Sequence, residues 1–350
     1  MIHFTPGPSQ LYPTVPQHIQ LGLENHIGSL SHRSGKFKDI FSGTVEGLRT
    51  LLSIPKDPTI IFLPSATEGM ERVLQGVVNK ESYHITTGSF GEKFKEIAQD
   101  LGKKAVTYSL DVRTGLQIPE IPDSAELLCF TQNETSNGSW IPLEMIYSLH
   151  EKYPEKLLAL DIVSSVPYVD VDFQKIDIAF FSVQKGFGLP AGLGVLVLSP
   201  RAIERAVSVK NSGKNVGSYH SLLSLTEYAK KFQTPETPNV LGIYLLGKVV
   251  EDMNKKGIQN IRKETEQKAK MLYDFFEESS IFNPVILRKE FRSPTVLVAS
   301  VKEAVAVHEK VVEQDMVIGK GYGAFKDQHI RIANFPAHTI NDVRKLITFL

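Results

Sequence analysis

Cysteine and tryptophan are nearly absent, and neither sign of charge is in excess: one Cys, one Trp, and 39 Lys+Arg against 39 Asp+Glu in 350 residues. A lone thiol, Cys129, cannot close a disulfide within the chain or build a cysteine-rich zinc site, and it fits a reducing compartment. A chain with no net charge offers no field for neutralising phosphates, so nucleic acid and anionic membranes are not expected partners. No run of about 18 apolar residues is present to span a bilayer, and the N-terminus lacks the basic-then-apolar order of a signal peptide. A cytoplasmic protein acting on small metabolites is expected. The ten histidines are scattered without an HExxH or short HxH pattern, so no metal site is expected.

What is present is a large apolar fraction, 42% of residues, on a chain long enough for two domains. Thr5-Pro6-Gly7-Pro8 cannot be helical, because two prolines fix φ and remove donors, so it reads as an extended arm. Short apolar runs then alternate with amphipathic stretches, the mark of a mostly parallel sheet covered by helices on both faces. Seven strands are expected: Thr59–Leu63, Ser82–Thr87, Ala105–Tyr108, Leu127–Thr131, Leu157–Val163, Ile178–Val183 and Gly194–Leu198. Met70, Val73, Leu74, Val77 and Val78 form one apolar stripe, which predicts a helix from about Thr67. A break at Thr234-Pro235-Glu236-Thr237-Pro238 precedes two long helices, Val240–Lys256 and Ile258–Glu278. An apolar run Thr295–Val301, a helix from about Glu303 and a strand His329–Ala333 follow. Thr339 with Asp342 forms a capping-box pattern before the last helix. The expected organisation is an α/β fold: an arm over 1–17, a large domain over 18–239, and a smaller C-terminal α+β domain over 240–350. No internal repeat or low-complexity segment interrupts it.

Open α/β sheets bind ligands outside the carboxyl ends of their strands. Four polar groups stand there: Ser65-Ala66-Thr67 before a helix, Asn133-Glu134-Thr135, Asp161, and Gln184-Lys185. Each alone reads more simply, the first as ordinary helix capping and the others as solvated strand ends. Together they hold a lysine, a carboxylate and a phosphate cradle, which is the set that pyridoxal phosphate requires.

The run from Leu160 to Leu198, with Asp161-Ile162-Val163-Ser164-Ser165, Ser182-Val183-Gln184-Lys185-Gly186 and Leu189-Pro190-Ala191-Gly192, resembles class V (fold type I) pyridoxal-phosphate aminotransferases, most of all the phosphoserine aminotransferases. Further matches are Gly7-Pro8, Ser31-His32-Arg33, Asn133-Glu134-Thr135 with Gly138, Phe232-Gln233-Thr234-Pro235, Arg292-Ser293 and Ile330-Arg331-Ile332-Ala333-Asn334. The resemblance implies that Lys185 forms the Schiff base and moves the substrate proton, while Asp161 pairs with the pyridinium. It assigns Thr135 to the ring oxygen and Phe90 to the ring face, where tryptophan is commoner. Ala66, Thr67 and Gln184 match phosphate contacts, and Gln233 with Thr234 matches a pair donated by the other subunit, so a homodimer is implied. Arg331 corresponds to the arginine that grips the α-carboxylate, and His32 and Arg33 to a second anion-binding pair. The implied reaction moves an amino group between phosphoserine and 2-oxoglutarate, a step of serine biosynthesis.

Two positions depart from that pattern. Glu68 stands where phosphoserine enzymes place an arginine, and if it faced the substrate phosphate, Glu68→Arg would tighten phosphoserine binding. Their His-Arg pair is replaced by Gly319-Lys320-Gly321-Tyr322-Gly323-Ala324-Phe325-Lys326, where Lys320 or Lys326 could restore charge. The arm and Thr67-Glu68-Gly69-Met70 also resemble serine or alanine aminotransferases that use glyoxylate or pyruvate. A cysteine desulfurase is not expected, because Cys129 lies in an apolar run. In a nucleotide-binding oxidoreductase, Gly186-Phe187-Gly188 would have to open a helix, which Leu189-Pro190 blocks. A binding protein that had lost its chemistry would not be expected to keep Lys185, Asp161 and Thr135 together.

Overall fold

The computed structural model describes residues 1–112 and 120–350. The chain opens with β1 (Ile2–Phe4), α1 (Val15–Glu24) and α2 (Gly35–Leu52). Next come β2 (Thr59–Leu63), α3 (Ala66–Val77), β3 (Glu81–Thr86), α4 (Ser89–Asp100), β4 (Lys104–Ser109) and β5 (Leu127–Thr131). A two-residue hairpin, β6 (Asn133–Glu134) and β7 (Ser139–Trp140), leads into α5 (Leu143–Lys152), β8 (Leu157–Asp161), β9 (Ile178–Ser182) and β10 (Gly194–Leu198). Four helices follow: α6 (Pro200–Asn211), α7 (Leu222–Ala229), α8 (Val240–Lys256) and α9 (Ile258–Glu278). The chain ends with β11 (Asn283–Pro284), β12 (Val296–Ser300), α10 (Ala304–Val312), β13 (Met316–Lys320), β14 (His329–Ala333) and α11 (Ile340–Phe349).

The larger sheet has seven strands in the order β2-β10-β9-β8-β5-β3-β4. All pairs are parallel except those of β10, which runs against both β2 and β9. The expected seven strands are therefore present, each within two residues of its expected bounds. β5, β8, β9 and β10 are buried at every position, as strands covered on both faces must be, whereas edge strand β4 is half-buried or exposed throughout. The stripe on α3 is buried at Met70, Val73, Leu74 and Val77. Cys129 is buried in β5, and burial alone holds its thiol well above the ordinary range.

The smaller sheet has the order β1-β13-β14-β12-β11, so the N-terminal arm supplies one of its edges. The capping box at Thr339 and Asp342 opens α11 as the pattern indicated. Residue 240, the expected start of the smaller domain, opens α8. Val240, Ile243, Leu246, Val249, Val250 and Met253 of α8 pack in the same core as Phe41, Val45 and Leu48 of α2. The second core takes over within α9, at Leu272 and Phe276. The proline-rich break marks where the chain crosses the surface, and α8 then returns to cover α2. Among the described residues, no helix is long and apolar enough to cross a membrane.

Candidate active site

Strand order brings the polar strand ends together. Asp161 closes β8, Thr131 closes β5 in register with it, and Lys185 lies in the turn after β9, the neighbour of β8. Ala66 and Thr67 open α3 after β2. A cavity of about 220 Å³ at this edge is lined by Ala66, Thr67, Phe90, Thr131, Thr135, Asp161, Gln184, Lys185 and Arg331. Pro6, Gly7 and Pro8 of the arm also line it. Gly7 has φ +142°, and a Cβ there would lie 2.9 Å from Lys185 Cε, so the arm can touch the lysine only with glycine at this position.

Lys185 is buried, and its Nζ donates to Thr135 Oγ1 at 2.9 Å. Thr135 Oγ1 in turn donates to Ser164 Oγ at 3.0 Å, and the Thr135 carbonyl accepts from Arg331 Nη1 at 3.1 Å. One threonine therefore ties the amine to the arginine. Burial lowers the Lys185 amine to about 8, against the opposing pull of Asp161 and Glu134. Burial raises Asp161 to about 7, although the Val163 N–H at 2.9 Å and the Lys185 charge favour its anion. The Lys185 ammonium lies 5.1 Å from the centre of the Phe90 ring.

The cradle differs in one detail from the expected phosphate contacts. The Ala66 N–H is already engaged, donating to Ser182 Oγ at 2.9 Å, and the Glu68 N–H donates to the cap Ser65 Oγ at 3.1 Å. That leaves the Thr67 N–H as the open donor of the helix N-terminus among the described residues. The buried Thr131 Oγ1, on the cavity wall, has no protein partner there either. An amine, a buried carboxylate, a helix N-terminus with an open N–H and an unpaired hydroxyl in one cavity fit pyridoxal phosphate.

Arg331 stands on β14, with Nε donating to the Lys320 carbonyl at 2.7 Å and its guanidinium 5.4 Å from the Tyr322 ring centre. Burial lowers its proton affinity, which Tyr322 and then Glu134 partly restore. His32, Arg33, Gln233 and Thr234 do not line this cavity in the single chain. Arg33 is pinned instead: Nη1 donates to Gln233 Oε1 at 3.0 Å and the Thr234 carbonyl at 2.9 Å, and its guanidinium lies 5.0 Å from the Tyr228 ring centre. Desolvation and Arg33 lower the His32 imidazole, against Glu236.

Glu68 is turned away from the cavity. His220 Nδ1 lies 2.9 Å from its Oε1 and Arg72 Nε 3.3 Å from the same oxygen, while the other His220 nitrogen faces Glu236 at 3.1 Å. Glu134 is a further site residue whose part the motif did not reveal. Its buried carboxylate accepts from the N–H groups of Phe90, Gly91 and Ser136 and from Ser136 Oγ, which anchors the start of α4 and so Phe90. The signal in the sequence was a carboxylate one residue before Thr135, flanked by small polar residues. Tyr322 also lines the cavity, and only its place in the departing stretch pointed to it.

The model for the family "Aminotransferase class-V" matches residues 2–312. A phosphoserine aminotransferase of Corynebacterium glutamicum is 28% identical over 347 residues, which cover 97% of this chain and 91% of that one. The solved structure of a phosphoserine aminotransferase from Cytophaga hutchinsonii is 43% identical and superposes with a TM-score of 0.97, covering 100% of this chain and 98% of that one. An alanine–glyoxylate aminotransferase from Nostoc shares the fold at a TM-score of 0.83 and 21% identity, over 99% of this chain and 93% of that one.

Proposed function

The chain belongs to the class V aminotransferases, and from that premise we propose that it moves an amino group between phosphoserine and 2-oxoglutarate, with pyridoxal phosphate as cofactor. The observation that carries this reading is the cavity in which Lys185, Asp161 and Thr135 meet Arg331. When bound, the cofactor supplies an electron sink for the pair left as a Cα proton departs.

The chain's own groups do the rest. With its pKa lowered to about 8, the Lys185 amine has a neutral fraction near neutrality, so Nζ can take a Cα proton and return it. Thr135 Oγ1 accepts from that Nζ and fixes its approach. Asp161 is a buried carboxyl that accepts from the Val163 N–H, and a protonated ring nitrogen brought beside it would favour its anion and pair strongly with it. Thr67 offers its open N–H to a phosphate, and Phe90 a ring face beside the amine. The Arg331 fork suits the carboxylate that both substrates share. The arm residues Pro6 to Pro8 cover the cavity and keep water from the amine.

A homodimer completes this reading. Gln233, Thr234, His32 and Arg33 gather outside the cavity, next to the exposed Phe232, as residues that serve a second subunit's site would. A reducing cytoplasm suits a chain whose one thiol is buried. One observation favours a second reading, serine or alanine with glyoxylate or pyruvate: among the described residues, Lys185 and Arg331 are the only cations on the cavity wall. The test is to mix the coloured holoenzyme separately with phosphoserine, serine, alanine and glutamate and follow the cofactor's visible absorbance. Phosphoserine and glutamate should discharge it; discharge by serine or alanine without phosphoserine overturns the first choice.

A further inference from the structure

One side chain lines both the inner cavity and a second cleft outside it. The Tyr322 ring lies 5.6 Å from the Phe90 ring and 5.4 Å from the Arg331 guanidinium, centre to centre. It lines the inner cavity and also an outer cleft of about 570 Å³, whose other walls are Gly88, Ser89, Glu92, Lys93 and Glu96. The loop that carries it is built rather than slack. The Gly321 N–H donates to the His329 carbonyl at 2.8 Å, the Phe325 N–H to the Tyr322 carbonyl at 3.1 Å, and Phe325 stacks on His329 at 4.6 Å. A Cβ on Gly321 would lie 1.9 Å from the Phe325 carbonyl oxygen, so this turn admits glycine alone.

We propose that Tyr322 is a specificity-determining residue: its ring closes the substrate end of the Lys185 cavity and ranks amino donors by the bulk of their side chains. The inference rests on the aminotransferase reading. Arg331 spends Nε on Lys320 and Nη1 on Thr135, and its guanidinium lies 5.4 Å over the Tyr322 ring, so a substrate carboxylate comes to the edge left open beside that ring. The side chain on the neighbouring Cα is then held close to the ring. Removing the ring would join the cavity to the outer cleft, whose wall carries Lys93, Glu96 and a Glu92 already paired with Lys95, and so offers an anion no excess of positive charge. Bulky uncharged side chains gain room there, and a dianionic one gains nothing.

The experiment compares the wild-type, Y322F and Y322A holoenzymes, mixed separately with serine, phosphoserine, methionine and leucine, with cofactor discharge as the readout. At 40% exposure Tyr322 is not part of a core, so neither variant threatens folding. Y322A should raise methionine and leucine relative to serine by about tenfold, the scale on which pocket size discriminates, with no gain for phosphoserine. Y322F, which keeps the ring, should keep the wild-type ranking. An unchanged ranking in Y322A, or an equal change in Y322F, overturns the proposal. A second readout needs no turnover: in the cofactor-free protein, phenylglyoxal should modify Arg331 faster in Y322A than in wild type, and equal rates overturn the covering role. If no donor discharges the wild-type enzyme, the aminotransferase reading falls, while the Arg331 modification rates still decide whether the ring covers the guanidinium.

Discussion

Lys185→Met tests whether the lysine is held at an energetic cost. Burial takes its amine from 10.5 to about 8, and a depression of that size corresponds to roughly 3 kcal/mol of stability. The sign follows from proton counting. Between pH 8 and 10.5 the unfolded chain holds a proton on this lysine that the folded chain has shed. Stability is therefore present above the unfolded value and is lost as pH falls through the folded value. The cofactor-free wild type should gain stability as pH rises from 8 to 10, by roughly 2 kcal/mol of that amount. For a 350-residue chain, 3 kcal/mol corresponds to about 4 °C in melting temperature. Lys185→Met lacks the titrating amine and also deprives Asp161 of the cation that favours its anion, so Asp161, already raised to about 7, moves higher. A group whose folded pKa is raised loses its stabilising effect as pH rises through that pKa, so the variant's melting temperature should stay level or fall over the same window. Melting curves of both cofactor-free proteins at pH 7, 8, 9 and 10 measure the difference. Parallel pH profiles would refute the claim that this amine is desolvated.

Glu68→Arg should not tighten phosphoserine binding, because Glu68 faces His220 and Arg72. It removes the acceptor that His220 and Arg72 share, sets a second guanidinium beside Arg72, and should cost about 1 kcal/mol, given that these are partly exposed pairs; a lower melting temperature with unchanged phosphoserine dependence is expected, and tighter binding would contradict the geometry. Gly186→Ala sets a Cβ 1.8 Å from the Val166 carbonyl oxygen, a backbone atom that cannot yield as a side chain does. Overpacking of this kind costs roughly 3 kcal/mol and displaces the residue next to Lys185, so cofactor uptake should fail; normal uptake measured by absorbance would show that the turn can shift.

Elements whose signal is local were legible in the sequence. The seven sheet strands are apolar runs that need no distant partner to be recognised, and the Thr339–Asp342 box is a contact between neighbours. The lysine and its carboxylate were legible because strand ends of adjacent β8 and β9 must share an edge. Contacts between distant segments left no such trace. Glu68 reads as an acidic first-turn residue until folding sets His220 against it. Glu134 reads as a strand-end carboxylate until α4 delivers the Phe90 and Gly91 N–H groups. The helix α8 looks like the start of a new unit because its periodicity reports a buried face without saying which core receives it, and only the pairing with α2 decides that.

The two cores divide the labour of the site. The amine, the carboxylate, the helix N-terminus and the ring face all come from the large sheet and its helices, locked by contacts such as Ser182 to Ala66 and Glu134 to Phe90. The smaller sheet contributes Arg331 and, through the loop before β14, Tyr322. In the proposed reading, proton transfer at Lys185 would depend on the first group and the fit of a side chain on the second. A change in the 321–328 loop can therefore alter which amino donor is accepted and leave Lys185, Thr135 and Asp161 where they are. Substrate identity is therefore to be tested at Tyr322 and at the edge of Arg331 that its bonds to Lys320 and Thr135 leave open, rather than at the lysine.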